Sequence, residues 1–333
     1  MSMIVALMVA FAFMISLTGT HLLIRLAPRL RLVQVPNGRS SHIKPTPSGG
    51  GLAIAIAVVA CGIILMVLMP LYWLWLLLGA AIAALGFSDD AFDLSAALRF
   101  IVQIAIIAIA IWVSDVPGVP LPLGFQLAGP ALGVVLVVAG VWWINLFNFM
   151  DGIDGLAGSQ ALLILAGAMG LWLWSDSRAL SEPMWILAAV TLAATAGFLL
   201  LNWPPARIFM GDAGSNFLSF IMLAVMLTMI ESGVISYAGA LALASVFISD
   251  ATVTVVRRIL QGERPWSAHR SHAYQKLSRR LGHRSVTIAY AVTTLLWAMP
   301  LAFSAIQWPN LEWLFVAVAF LPLLIFVTAV GVD

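Results

Sequence analysis

The sequence predicts an all-α, polytopic membrane bundle of about eleven transmembrane helices, and three observations predict it. Of 333 residues, 62% are apolar and only 9% are charged, against roughly 25% charged in a soluble domain. The apolar residues gather in eleven runs close to the ~20 residues a spanning helix needs. The basic residues then divide by face: of 16 Lys and Arg, all but Arg178 fall on one side of the alternating scheme, as the positive-inside rule expects. A mean hydropathy of +1.06 excludes a soluble globule, whose surface needs polar cover. It excludes a disordered chain as well.

The runs lie near 1–27, 50–69, 71–87, 97–113, 130–148, 157–175, 184–202, 214–231, 234–256, 286–305 and 311–331. In the first, positive charge follows the apolar stretch, at Arg25, Arg29 and Arg31. A secretory signal has the reverse order, so this run reads as an uncleaved helix with its N-terminus outside. Pro70 separates the second and third runs and marks a tight turn. Alternation puts the loops 28–49, 88–96, 149–156, 203–213 and 257–285 on the cytoplasmic face. It leaves 114–129, 176–183, 232–233 and 306–310 outside. Cys61 is the single cysteine, which excludes an intramolecular disulfide and a metal-thiolate cluster. No repeat or soluble boundary breaks the chain, which reads as one membrane domain over 1–333.

Five polar clusters occupy the cytoplasmic loops. The first runs from Pro36 through Lys44-Pro45-Thr46-Pro47 to Gly49-Gly50-Gly51. Arg39 and Lys44 can meet phosphate, but taken alone the stretch reads better as a juxtamembrane basic loop ending in a helix-start turn. The second is Asp89-Asp90 with Asp93. Three carboxylates repel unless a hard cation, a Lys or an Arg sits among them. Helix capping accounts for one of them, not three. The third runs from Asn145 through Asn148, Asp151 and Asp154 to Ala157. Its polar groups recur at i, i+3, so Asn148 and Asp151 share a face. Amides there can read a base or sugar, and carboxylates can hold Mg²⁺ or ribose hydroxyls. Interhelical hydrogen bonds would explain the asparagines alone.

The fourth cluster runs from Asn202 through Arg207 to Gly211-Asp212 and Ser215. Asp212 or Ser215 can cap the next helix, and a helix start attracts phosphate. The fifth, in loop 257–285, holds eight of the basic residues and three histidines against Glu263 alone. A topology signal with affinity for anionic lipid explains Arg279, Arg280 and Arg284. The compact His269-Arg270-Ser271-His272 run suits a diphosphate better, and zinc poorly. Acidic clusters opposite a basic loop on one face suit metal-assisted chemistry on a phosphorylated donor and an acceptor lying in the bilayer.

In this order, Pro45-Thr46-Pro47 with Gly49-Gly50, Asp89-Asp90, Asn145 through Ala157, Phe209 through Ser215 and His269–His272 resemble the polyprenyl-phosphate N-acetylhexosamine-1-phosphate transferases. The resemblance covers roughly 34–275. Each motif is weak alone; five in the family's order are specific. It implies a multi-pass protein of the bacterial cytoplasmic (inner) membrane, with a periplasmic N-terminus and cytoplasmic active-site loops. The implied reaction moves N-acetylhexosamine 1-phosphate from UDP-N-acetylhexosamine to undecaprenyl phosphate and releases UMP. The implied cofactor is Mg²⁺, with Mn²⁺ as the alternative. By the same resemblance Asp212 ligates the metal together with Asp151. Asp89 is the base or orienting group, with Asp90 beside it, and Asp151 and Asp154 belong to the catalytic set. Lys44, Asn145, Asn148, Arg207, His269, Arg270 and His272 bind substrate. The partners implied are the two substrates and membrane lipid, with no nucleic acid, and a homodimer is the family's expectation. The His-Arg-Ser-His run is closer to the surface-polysaccharide (O-antigen-like) branch than to the peptidoglycan branch, whose histidines are consecutive. Two other readings compete: an intramembrane prenyltransferase with Asp-rich Mg²⁺-diphosphate motifs, and a secondary transporter.

Overall fold

The computed structural model describes residues 3–30, 32–35, 44–68, 73–263 and 270–331. The helices are α1 (Met3–Leu30), α2 (Gly51–Leu68), α3 (Trp73–Phe92), α4 (Ala96–Val113), α5 (Gly129–Phe149) and α6 (Leu156–Ser175). They continue with α7 (Pro183–Asn202), α8 (Asp212–Glu231), α9 (Tyr237–Leu260), α10 (Ala273–Leu281), α11 (His283–Thr293), α12 (Met299–Gln307) and α13 (Glu312–Gly331). Among the described residues ten helical spans are long and apolar enough to cross a membrane, and α2 is a shorter apolar helix beside them. The eleven runs of the sequence therefore reappear as helices.

Local chemistry sets the starts. Ser95 Oγ accepts the Leu98 N–H at the head of α4, and Ser236 Oγ accepts the Gly239 N–H at the head of α9. Both satisfy an orphan donor. Proline opens α5 and α7, where its missing N–H costs nothing. The run 286–305 is one continuous span, His283–Gln307, with a π turn at Thr294–Ala298 between α11 and α12. Pro300 lies just beyond it; its ring and missing N–H disturb the preceding turn, which widens in response.

α8 is buried along most of its length, as are the facing sides of α3, α5 and α7, whereas α1, α4 and α13 expose Leu, Ile and Phe. Glycine allows the closest crossings. A Cβ on Gly197 of α7 would lie 2.6 Å from the Phe13 carbonyl of α1, the small-residue packing by which membrane helices approach.

Three boundaries differ from the sequence reading. α3 runs through Asp89 and Asp90 to Phe92, so these residues sit in its last turn rather than in a loop. Asp93 takes φ 50° in the short turn that follows, a left-handed conformation that Asp tolerates. In the long basic loop, α9 extends to Leu260 and the amphipathic helix α10 forms, because its polar residues follow a helical period that apolar runs do not reveal. Two short antiparallel hairpins also appear. Val33–Gln34 (β1) pairs with Thr46–Pro47 (β2), and Val119–Pro120 (β3) with Gln126–Leu127 (β4). Two-residue strands are too short to show alternation.

The described parts of the five motif-bearing loops meet at one end of the bundle. Gly50 and Gly51 donate to the carbonyls of Phe209 and Met210, and Phe209 donates to Pro47. Asp154 joins the 203–211 loop to the start of α11. At the opposite end Tyr237 and Trp313 donate to the carbonyls of Pro117 and Pro120 beside the β3–β4 hairpin.

Candidate active site

The acidic centre forms where the last turn of α3 meets the first turn of α8. Asp90 accepts the backbone N–H groups of Asp212 (3.2 Å) and Ala213 (3.3 Å), so one carboxylate caps another helix and meets its dipole. Contact this close needs glycine. A Cβ on Gly86 would strike the Asp212 backbone, and one on Gly51 would strike Gly214. Gly211, at φ 78°, brings the chain into α8 beside the Asp90 carboxylate.

Asp89 accepts the Leu94 N–H at 2.9 Å and is ion-paired with Arg99 of α4. Arg99 also lies 3.8 Å from Asp212. The positive group that the acidic cluster requires is therefore an arginine of this chain, at least in part. Asp93 is exposed and takes no part. Asn148 of α5 donates to Ser215 at 3.1 Å. Asn145 donates to Gln103 at 2.7 Å. Arg99, Asn145, Asn148 and Asp212 line a small cavity of about 40 Å³.

Asp151 follows α5, and burial raises its carboxyl well above the usual range; the negative charges of Asp212 and Asp90 push it further. That crowding favours the neutral form of Asp151 unless a cation sits beside it, because Arg99 is engaged by Asp89 and Asp212. Among the described residues no three acidic or histidine side chains converge as a metal cage. Mg²⁺ is normally held by one or two carboxylates plus substrate phosphates and water, and the Asp212–Asp151 pair fits that donor set.

Asp154 has a different environment. It lies 3.1 Å from His283 Nδ1 and accepts the Ala206 N–H at 3.0 Å. Burial raises its carboxyl, but these bonds outweigh that and hold it below the usual range. Asp154 thus ties three loops together, and Asn202 adds to the tie by accepting from Gly155 and donating to Ile208.

The basic loop is anchored by a residue the sequence reading did not select. Asp250, fully buried in α9, accepts the N–H groups of Ala273 and Tyr274, both at 2.9 Å. It also accepts the Tyr290 hydroxyl, and His272 Nδ1 lies 3.5 Å away. His272 provides no side-chain cap of its own to α10, so Asp250 caps this helix from outside. Tyr274 donates in turn to the Phe149 carbonyl at 2.8 Å, passing so close to Gly152 that a Cβ there would collide with its hydroxyl. The histidine motif is thereby docked on the Asn148–Asp151 segment. His272 itself is only 2% exposed, held near Phe149 and stacked with Tyr274.

Of the other selected residues, those described do not line the small cavity. Lys44 and Arg207 are exposed, Arg270 is half-buried beside the loop, and His269 lies outside the described residues. Arg99 and Asp250 did carry a signal. Each is a charge inside an apolar helical run, which is a functional hint by itself.

An apolar groove of about 680 Å³ runs between α4 and α5, lined by Phe100, Ile104, Trp112, Val134, Val138 and Trp142 among others. Phe100 also borders the small polar cavity, so the groove ends at the acidic centre.

Residues 72–230 match the model of glycosyl transferase family 4. A probable undecaprenyl-phosphate N-acetylglucosaminyl 1-phosphate transferase of Bacillus subtilis is 31% identical, over 96% of this chain and 92% of its own length. A decaprenyl-phosphate N-acetylglucosaminephosphotransferase of Mycobacterium leprae is 30% identical, over 88% and 81%. An undecaprenyl-phosphate α-N-acetylglucosaminyl 1-phosphate transferase of Yersinia pestis is 29% identical, over 81% and 75%. The chain belongs to the polyprenyl-phosphate N-acetylhexosamine-1-phosphate transferase family of membrane phosphoglycosyltransferases.

Proposed function

We propose that the chain transfers N-acetylhexosamine 1-phosphate from a UDP-sugar to undecaprenyl phosphate, releasing UMP, at the cytoplasmic face of the bacterial inner membrane. The observation that carries this reading is the junction of the acidic centre with the apolar groove. One arm suits a prenyl chain and the other a phosphorylated, water-soluble donor. The relatives' names support N-acetylglucosamine as the sugar. The surface-polysaccharide type of the histidine motif favours an O-antigen-like product.

An oxygen of the lipid phosphate attacks the phosphorus next to the sugar. The bond to the UMP phosphate breaks, and UMP leaves with its electron pair. A phosphate monoester has its second pKa near 6, so at neutral pH the nucleophile is already mostly ionised. Asp89, held by Arg99, then orients the acceptor rather than removing a proton. Asp90 fixes the backbone that presents Asp212. Asp212 and Asp151 would hold Mg²⁺, or Mn²⁺ in its place, which neutralises charge developing on the diphosphate. Asn145 and Asn148 present amides to the nucleotide or sugar. Asp154 fixes the loop that carries Asp151. Lys44, Arg207, His269 and Arg270 supply cations and hydrogen-bond donors to the donor's phosphates. His272, buried against Asp250, holds the start of α10 in place.

The test incubates purified protein in nanodiscs with undecaprenyl phosphate and a panel of UDP-sugars, identifying lipid product and nucleotide by mass spectrometry. The expected products are a lipid-diphosphate-sugar and UMP, abolished by EDTA and restored by Mg²⁺. Diphosphate release from a prenyl donor would favour a prenyltransferase instead. Movement of intact sugar nucleotide without lipid product would favour a transporter. In the same assay His272→Ala is expected to lose at least ~10-fold more activity than Arg284→Ala, because supporting-shell groups of this kind are typically worth 10–100-fold. Equal effects would reduce the loop to a basic patch.

A further inference from the structure

Three cations of the basic region have no part in the acidic centre. Arg257 and Arg258 in the last turn of α9 and Lys276 of α10 line a pocket of about 260 Å³ between α9, α10 and the end of α13, together with Thr254, Gln261 and Ser271. Arg258 is 7% exposed and pairs with Glu263 at 2.6 Å. Lys276 Nζ donates to the carbonyls of Val330 (3.4 Å) and Gly331 (2.8 Å), closing the orphan end of α13 while keeping its charge at the pocket. Among the described residues no carboxylate lies within ion-pair reach of Arg257 or Lys276. Among the described residues, three cations line this pocket and one carboxylate, Glu263, pairs with Arg258. A partly enclosed surplus of one sign costs free energy unless a counterion enters.

The pocket lies on the far side of α10 from the acidic centre. Tyr274 and Gln275 approach Gly152, whereas Lys276 meets α13. The same helices expose apolar side chains. Val256 and Leu260, which flank Arg257 on α9, are 46% and 82% exposed, and Phe326 on α13 is 50% exposed. A cationic pocket at the ends of spanning helices, with exposed apolar side chains on the same helices, has the polarity profile of a lipid headgroup with its chains attached.

We propose that this pocket is a second phosphate-binding site, separate from the transfer site, and that it holds the phosphodiester of an anionic phospholipid whose chains lie against α9 and α13. Arg257 and Arg258 supply planar pairs of donors to the phosphate oxygens, and Lys276 supplies a point charge. A bound headgroup would bridge α9, α10 and α13, and so brace the helix whose first turn Asp250 caps.

The test uses the full-length protein in nanodiscs of equal phosphatidylglycerol and phosphatidylcholine, with retained lipid counted by native mass spectrometry. Wild type is expected to keep phosphatidylglycerol preferentially, by about fivefold for each cation engaged. Arg257→Gln with Lys276→Gln is expected to lose that preference. Gly331→Ala keeps every charge yet puts a methyl group 2.5 Å from an Arg257 terminal nitrogen, and is expected to reduce the preference as well. An unchanged preference in the folded variants overturns the proposal. So does loss of the bound lipid to excess inorganic phosphate, which would make this a site for a soluble phosphate. Neither outcome depends on which sugar the enzyme transfers.

Discussion

Asp212→Asn is expected to abolish Mg²⁺-dependent turnover while leaving the protein inserted and folded. Asp212 begins α8, lies 3.8 Å from Arg99 and lines the small cavity at the end of the apolar groove. The amide keeps the size of the side chain but removes its charge. Metal stabilisation of phosphoryl-transfer charge is worth several kcal/mol, and each 1.36 kcal/mol is tenfold in rate. A loss of at least ~100-fold in kcat is therefore expected, with an unaltered melting temperature. Turnover within a few-fold of wild type would remove Asp212 from the metal assignment. The backbone N–H that Asp90 accepts from this residue survives the substitution, so a folding loss would point to a different cause.

Asp250→Ala is expected to be nearly as damaging for another reason. It leaves two buried N–H groups and the Tyr290 hydroxyl without their acceptor. Each unsatisfied buried group costs roughly 1–3 kcal/mol, so a stability loss of ~3 kcal/mol or more is expected. The local consequence is undocking of α10 from α9. Trypsin should then cut faster at Lys276, Arg279 and Arg280. Asp250→Asn keeps one acceptor oxygen but turns an NH2 toward the donor on the other side, so it should lose roughly 1–3 kcal/mol, less than Ala, and raise KM for the UDP-sugar more than it lowers kcat. Wild-type trypsin resistance and activity in Asp250→Ala would overturn the docking role.

Much of the site was legible because charge is scarce in this chain. Asp89, Asp90, Asn148, Asp151 and Asp212 stand out against an apolar background, and the structure does bring them to one end of the bundle around α3, α5 and α8. What was not legible was who pairs with whom. Three carboxylates after α3 call for a positive group, but nothing in the spacing names Arg99, which comes back from the next helix. Asp93 looks equivalent to its neighbours in sequence, yet the left-handed turn points it away into the exposed surface. His272 looks like a free phosphate ligand, yet it is buried against Asp250, 22 positions earlier in the chain.

The sequence by itself determined the membrane bundle, the order of its helices and the segments that hold the polar motifs. Lipid solvation requires apolar runs of a set length, and it tolerates ionisable groups only where they have a use. Both constraints are written in one dimension. Only the tertiary structure decided which carboxylate is paired with Arg99, which caps α8 and which is left to crowd Asp212. Those outcomes depend on glycine-level approaches between helices far apart in the chain, such as Gly51 to Gly214 and Gly86 to Asp212. Electrostatic energy depends on such distances, and distances across a bundle are not a property of sequence spacing.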